Sequence, residues 1–199
     1  MKTKWVGLFL TVALAVGLLA GCGAAPKATE DGEAAAPETL KVALILSGPA
    51  NDQGWNATAL EGLNEAEKEY DVSISTMENV SIADSEAAFR DYAAQGYNLI
   101  IGHGYQFGEP AKKVSGDFSK AFFMSTESNS ESENMASYVM SCEQGAYLMG
   151  MLCAGMSATK VIGVVGGFEQ PSITKELEAF KLGAAEIDPE VRVLEIYVN

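Results

Sequence analysis

From Leu40 onward the chain alternates short apolar runs with stretches of helical period, and that rhythm points to an α/β fold built on a parallel sheet. LKVALIL (40–46) runs into Ser47-Gly48-Pro49, the pattern of a strand buried on both faces. VSIST (72–76), NLIIG (98–102), AFFMST (121–126), KVIGVVGG (160–167) and VRVLEIYV (191–198) read as further strands, with SYVM (137–140) as a crossover strand. Between them, Trp55, Ala59, Leu63 and Ala66 recur at helical spacing. The spacing predicts further helices over 83–96, near 109–118, over 144–156 and from Pro171 to about Ile187. The helix over 144–156 carries Gly145, Ala146, Gly150, Ala154 and Gly155, small enough to let another element approach closely.

Ligands of open parallel sheets bind outside the carboxyl ends of the strands. The loops to inspect are therefore 47–56, 102–108, 125–129 and 166–171. The first, SGPANDQGWN, places Asn51, Asp52 and Asn56 beside the broad face of Trp55. An aromatic plate with a few convergent polar groups suits a concave small-molecule site. Asn51 or Asp52 could equally cap the helix, with Trp55 in the core. The second, GHGYQFGEP, offers glycine backbone and the aromatic residues Tyr105 and Phe107. Its His103 is the single histidine of the chain, and no Ser or Cys nucleophile motif accompanies it, so a structural role is expected. No dinucleotide-binding fingerprint is present. GVVGGFEQP could cradle an anion at a helix N-terminus or simply form a tight strand-end turn, with Phe168 as a second aromatic wall.

The other end of the chain speaks of export. MKTKWVGLFLTVALAVGLLAGC opens with Lys2 and Lys4, continues through an apolar stretch, and closes on Leu19-Ala20-Gly21-Cys22. That is a secretory signal layout whose apolar core is short for a stable membrane span. Residues 1–21 are expected to be a signal peptide, cut before an acylated Cys22. Residues 22–39 carry the lipidated Cys and an Ala-, Pro-, Gly- and Glu-rich linker that buries too little to order itself. The expected location is the extracytoplasmic face of the cell membrane, held by lipid. With 13 Lys and Arg against 27 Asp and Glu, the chain is acidic, which argues against nucleic acid as a partner. Besides Cys22 only Cys142 and Cys153 remain, expected on one helix too far apart to bridge and packed as buried apolar groups. No metal-ligand spacing and no cofactor motif is found.

The order of KVALILSGPANDQGWNATALEGL, DYAAQGYNLIIGHGYQF, QGAYLMGMLCAGM and KVIGVVGGFEQPSI, behind a lipobox, resembles the basic membrane protein (PnrA-like) lipoproteins, over roughly residues 40–199. These are substrate-binding components of ABC importers, many of them for purine nucleosides. The resemblance implies a periplasmic-binding-protein-like (type I) α/β fold with two parallel-sheet lobes. Here the first lobe would be 40–126 and an incomplete second lobe 127–199. It implies ligand contacts from Asp52, Trp55 and Asn56, from Gly104 and Tyr105, from Thr126-Glu127 where nucleoside-binding members commonly have an Asp, and from Gly167 and Phe168 after the Gly166-Gly167 strand end. It also implies ABC permease subunits as partners and no enzymatic activity. The family runs well beyond 300 residues, so this chain is expected to be a fragment or truncated product that binds weakly by itself. A membrane-tethered ligand sensor of the same fold, signalling to a partner protein, is the alternative reading.

Overall fold

The computed structural model describes residues 39–198; the expected signal, Cys22 and the linker up to residue 38 lie outside the described residues. Strands β1 (Leu40–Leu46), β2 (Val72–Met77), β3 (Leu99–His103), β4 (Phe122–Thr126) and β5 (Met135–Tyr138) form one sheet in the order β2-β1-β3-β4-β5, every neighbouring pair parallel. Strands β6 (Val161–Gly166) and β7 (Arg192–Tyr197) form a second, two-stranded parallel sheet. The helices are α1 (Trp55–Glu69), α2 (Ser85–Ala94), α3 (Gly108–Ser115), α4 (Cys142–Met156) and α5 (Pro171–Ile187). A 3-10 turn, Tyr105–Phe107, leads into α3.

The uninterrupted run in β1 follows from its surroundings. Ala43 and Ile45 join Phe89 and Tyr92 of α2, Ala111 and Val114 of α3, and Ile100, Phe107 and Phe123 in one core. Val42, Leu44 and Leu46 point into a second core with Leu63 of α1. Successive strand residues face opposite sides, so a strand covered on both faces must be apolar throughout. Burying one side chain such as Phe89 or Ile45 contributes about 1.5–3 kcal/mol.

Two expectations need correction. The strand expected over 137–140 runs from Met135 to Tyr138 and pairs with β4, so the first sheet has five strands. The cause is local: Met135 is buried in the same core as Phe123, and Asn134 Nδ2 donates to the carbonyls of Ser115, Phe118 and Ala121. Val139 and Met140, expected in the strand, lie beyond its end. Second, Cys142 and Cys153 do share α4, but Cys142 is exposed and Cys153 half-buried.

Helices α4 and α5 pack backbone to backbone. A Cβ at Gly150 would overlap the carbonyl of Phe180, and one at Gly183 would overlap the carbonyl of Tyr147. The crossing therefore requires glycine at both contact points. The small residues anticipated on α4 serve this contact chiefly through Gly150.

Candidate ligand-binding site

The site begins with the entry into α1. Asp52 Oδ1 accepts from the backbone N–H of Gly54 (2.9 Å) and Ala57 (3.0 Å). Its Oδ2 accepts from the backbone N–H of Asn56 (2.9 Å) and from Asn56 Nδ2 (3.0 Å). The backbone N–H of Asn56, then those of Ala57 and Gly54, hold the Asp52 carboxyl below its ordinary range. Asp52 thus ties down the orphan donors of the helix start, although Gly54 occupies the cap position itself. Asn56 is only 6% exposed, with its Oδ1 unpartnered, and Gly48 leaves no room for a Cβ beside its amide.

Trp55, the first residue of α1, is fixed from behind. His103, the last residue of β3, stacks on the indole with ring centroids 4.0 Å apart and 21° between planes. His103 Nε2 donates to the Trp55 carbonyl (3.1 Å), and Nδ1 lies 3.2 Å from Thr126 Oγ1. A carbonyl only accepts, so the neutral ring carries its proton on Nε2 and Thr126 donates to Nδ1. Burial pushes the His103 pKa below its ordinary value, against opposing effects from the Trp55 carbonyl and the charge of Asp52.

At the carboxyl ends of both sheets these elements frame a cleft of about 280 Å³. From the loops and helix start that follow strands of the five-stranded sheet come Ser47, Trp55, Gly104, Tyr105, Gln106, Glu127 and Met140, and from the start of α4 comes Cys142. From the stretch after β6 come Gly167, Phe168, Gln170, Ser172, Ile173 and Glu176. Trp55 remains 41% exposed and Phe168 65%, large apolar faces left open to the cleft region. Glu127 sits in the left-handed region (φ 60°), its N–H donating to the Tyr138 carbonyl and its Oε1 accepting from the Met140 N–H. The kinked backbone and these two bonds present it at the end of β4. Gly104 (φ 137°) supplies a turn that a larger residue would strain. Burial pushes the Glu176 carboxyl up, and Glu127 adds to that rise. The same two carboxylates, with burial first, raise the Cys142 thiol.

Of the residues singled out from sequence, Trp55, Gly104, Tyr105, Glu127, Gly167 and Phe168 line the cleft. Asn51, Asp52, Asn56 and Thr126 do not: Asp52 and Asn56 are engaged with each other, Thr126 stands behind Trp55 on His103, and Asn51 is exposed away from the lining. Sequence reasoning missed Ser172, Ile173 and Glu176. Their spacing of one, three and four residues on the first turns of α5 puts them on one helix face just beyond a strand end, which was a usable signal. Met140 and Cys142 were missed with the end of β5. Among the described residues no group of His, Cys, Asp and Glu could hold a metal ion.

Residues 39–199 match the family model of the PnrA-like ABC transporter substrate-binding proteins, and the chain belongs to that family. It is 30% identical over 171 residues to a purine-binding protein of Brucella abortus, an alignment covering 84% of this chain and 49% of that one. A solved solute-binding protein of an ABC transporter system from Aeropyrum pernix superposes with a TM-score of 0.71 at 20% identity, over 80% of this chain and 47% of the other, and shows the shared fold. A crystal structure of a transcriptional activator of the comK gene from Bacillus halodurans superposes with a TM-score of 0.61 at 30% identity, over 79% and 53% of the two chains. The fold is periplasmic-binding-protein-like, and the chain spans about half the length of the curated relatives it matches.

Proposed function

We propose that this chain belongs to a lipid-anchored solute receptor of an ABC importer, acting without catalysis, whose cleft takes a purine nucleoside or a related flat small molecule. The observation that carries the reading is the cleft itself. Two exposed aromatic faces, Trp55 and Phe168, are joined there by the carboxylates of Glu127, at the end of β4, and Glu176, in the first turns of α5. Aromatic faces take a planar base by stacking, and carboxylates accept from its N–H groups or from sugar hydroxyls. Purine binding by the Brucella relative agrees with such a ligand. Attachment at Cys22, on the extracytoplasmic face of the cell membrane, rests on the lipobox-like Leu19-Ala20-Gly21-Cys22, and ABC permease subunits are the partners the family suggests.

Saturation-transfer NMR of adenosine against the full chain tests the ligand, because it detects weak binding. Transfer to the purine protons that is lost in Trp55→Ala supports the reading; transfer unchanged by that substitution, or none at all, contradicts it. Detergent phase partitioning tests the anchor. Cys22→Ser should move the protein out of the detergent phase or leave it uncleaved, and unchanged partitioning of a normally cut chain removes the lipidation proposal.

A second reading has one specific observation in its favour. The Bacillus halodurans protein at 30% identity is a transcriptional activator of the comK gene, which supports reading this chain as a membrane-tethered sensor that would pass ligand occupancy at the same cleft to a partner protein.

A further inference from the structure

Among the described residues, His103 is the one buried titratable side chain near the cleft that has no place in ligand contact. It does not line the cleft, yet it touches the two elements that do. Its ring lies flat against Trp55, its Nε2 grips the Trp55 carbonyl, and its Nδ1 receives the hydroxyl of Thr126, the residue directly before Glu127. The start of α1, the end of β3 and the end of β4 meet at this single imidazole.

We propose that His103 is a positioning residue, whose neutral Nε2–H tautomer clamps the start of α1 to the end of β4 so that the Trp55 ring stands as a fixed wall beside Glu127. No other residue type makes all three contacts. A glutamine reproduces the two polar bonds without the stacked ring; a leucine fills space but leaves the Trp55 carbonyl and the Thr126 hydroxyl without partners. While the ring is neutral Thr126 donates to Nδ1; on protonation both ring nitrogens donate, and the Thr126 hydroxyl must turn to accept. Asp52, fastened to the opening turn of α1, is the charged group that acts on the ring through space, and its carboxylate favours the protonated form. Burial outweighs it, so the neutral clamp persists to lower pH than an exposed histidine would allow. That Trp55 meets a ligand rests on the function proposed above; the clamp does not.

The chain offers its own reporter. It has two tryptophans, Trp5 and Trp55, and one histidine, so the full chain carrying Trp5→Phe has a single indole stacked on the single imidazole. A stacked imidazolium quenches indole emission. Emission should therefore fall on acidification with a midpoint below the ordinary histidine value of about 6.5, and the step should vanish in His103→Gln. The anisotropy of Trp55 should stay high in His103→Gln, which keeps both polar bonds, and drop in His103→Leu. Thr126→Val, similar in shape, should lower it by a smaller amount, and it carries the test should His103→Leu fail to fold. Saturation transfer from the protein to adenosine should weaken in the same order as the anisotropy falls. A flat emission profile between pH 4 and 8, or equal anisotropy in every variant that folds, overturns the clamp, whatever adenosine does. Expected emission and anisotropy with no adenosine response uphold the clamp and remove the ligand reading instead.

Discussion

The five-stranded and two-stranded sheets obey the same parallel pairing but live in different surroundings. In the first, β1 buries its residues on both faces between α1 on one side and α2 with α3 on the other. In the second, Val161, Val165, Leu194, Ile196 and Val198 remain exposed, as do Leu148, Met149, Leu152 and Met156 on α4 and Leu182 on α5. Its buried residues come mainly from the contact between α4 and α5, around Ala154, Leu177, Phe180 and Ala184. Parallel strands gain their stability from cover on both faces. The strand pattern alone therefore says that a sheet forms, and the helices decide how firmly it is held.

The comparison breaks first at the centre of the covered sheet. Phe89→Ala should cost about 3–5 kcal/mol, because the ring is fully buried against Phe107 and Phe123 and its removal leaves a cavity. Equilibrium denaturation of the full chain measures it; a loss below about 1 kcal/mol would show this core to be no firmer than the other region. Next, Gly183→Ala should cost about 1–3 kcal/mol through overpacking against the Tyr147 carbonyl. Hydrogen exchange should speed up over α4 and α5 while β1 and β3 keep their protection, and acceleration spreading equally to β1 would merge the two regions into one cooperative unit.

A smaller effect comes with pH. His103 has a lowered folded pKa, so its contribution to stability is present above the ordinary histidine value and is lost as pH falls from about 6.5 through the folded value. As the chain has one histidine, His103→Gln should flatten that part of the stability–pH curve, read from thermal unfolding midpoints. The smallest effect is expected where the sheet is bare. Ile196→Thr and Val165→Thr should change stability by no more than about 0.5 kcal/mol while raising solubility. A large loss there would mean that those side chains are covered in solution.

How far the sequence could be read follows the same division. The strand and helix order was legible because β1, β3, β4 and β6 are short apolar runs bounded by glycine or polar turns. The placement of β5 was not, because its sheet membership depends on the long-range burial of Met135 and the carbonyl contacts of Asn134, which no local period encodes. In the site, glycines and aromatics at strand ends marked Gly104, Tyr105, Gly167 and Phe168 as cleft residues. Asp52 and Asn56 stayed open between two readings, because a carboxylate and an amide at a helix start suit a ligand or a cap equally well; the geometry shows their hydrogen bonds closing on each other and on the α1 backbone. Glu176 escaped notice because it lies a full turn into a helix, beyond the loop where a ligand contact was sought.

The central claim is that one cleft, built from the strand ends of both sheets, receives one ligand. Hydrogen exchange of the full chain with and without saturating adenosine tests it most directly. The account predicts added protection in two separate places: around 104–107 and 126–128 at the ends of β3 and β4, and over 167–176 from the end of β6 into α5. Protection confined to only one of these regions, or appearing in neither while adenosine is bound, would contradict it.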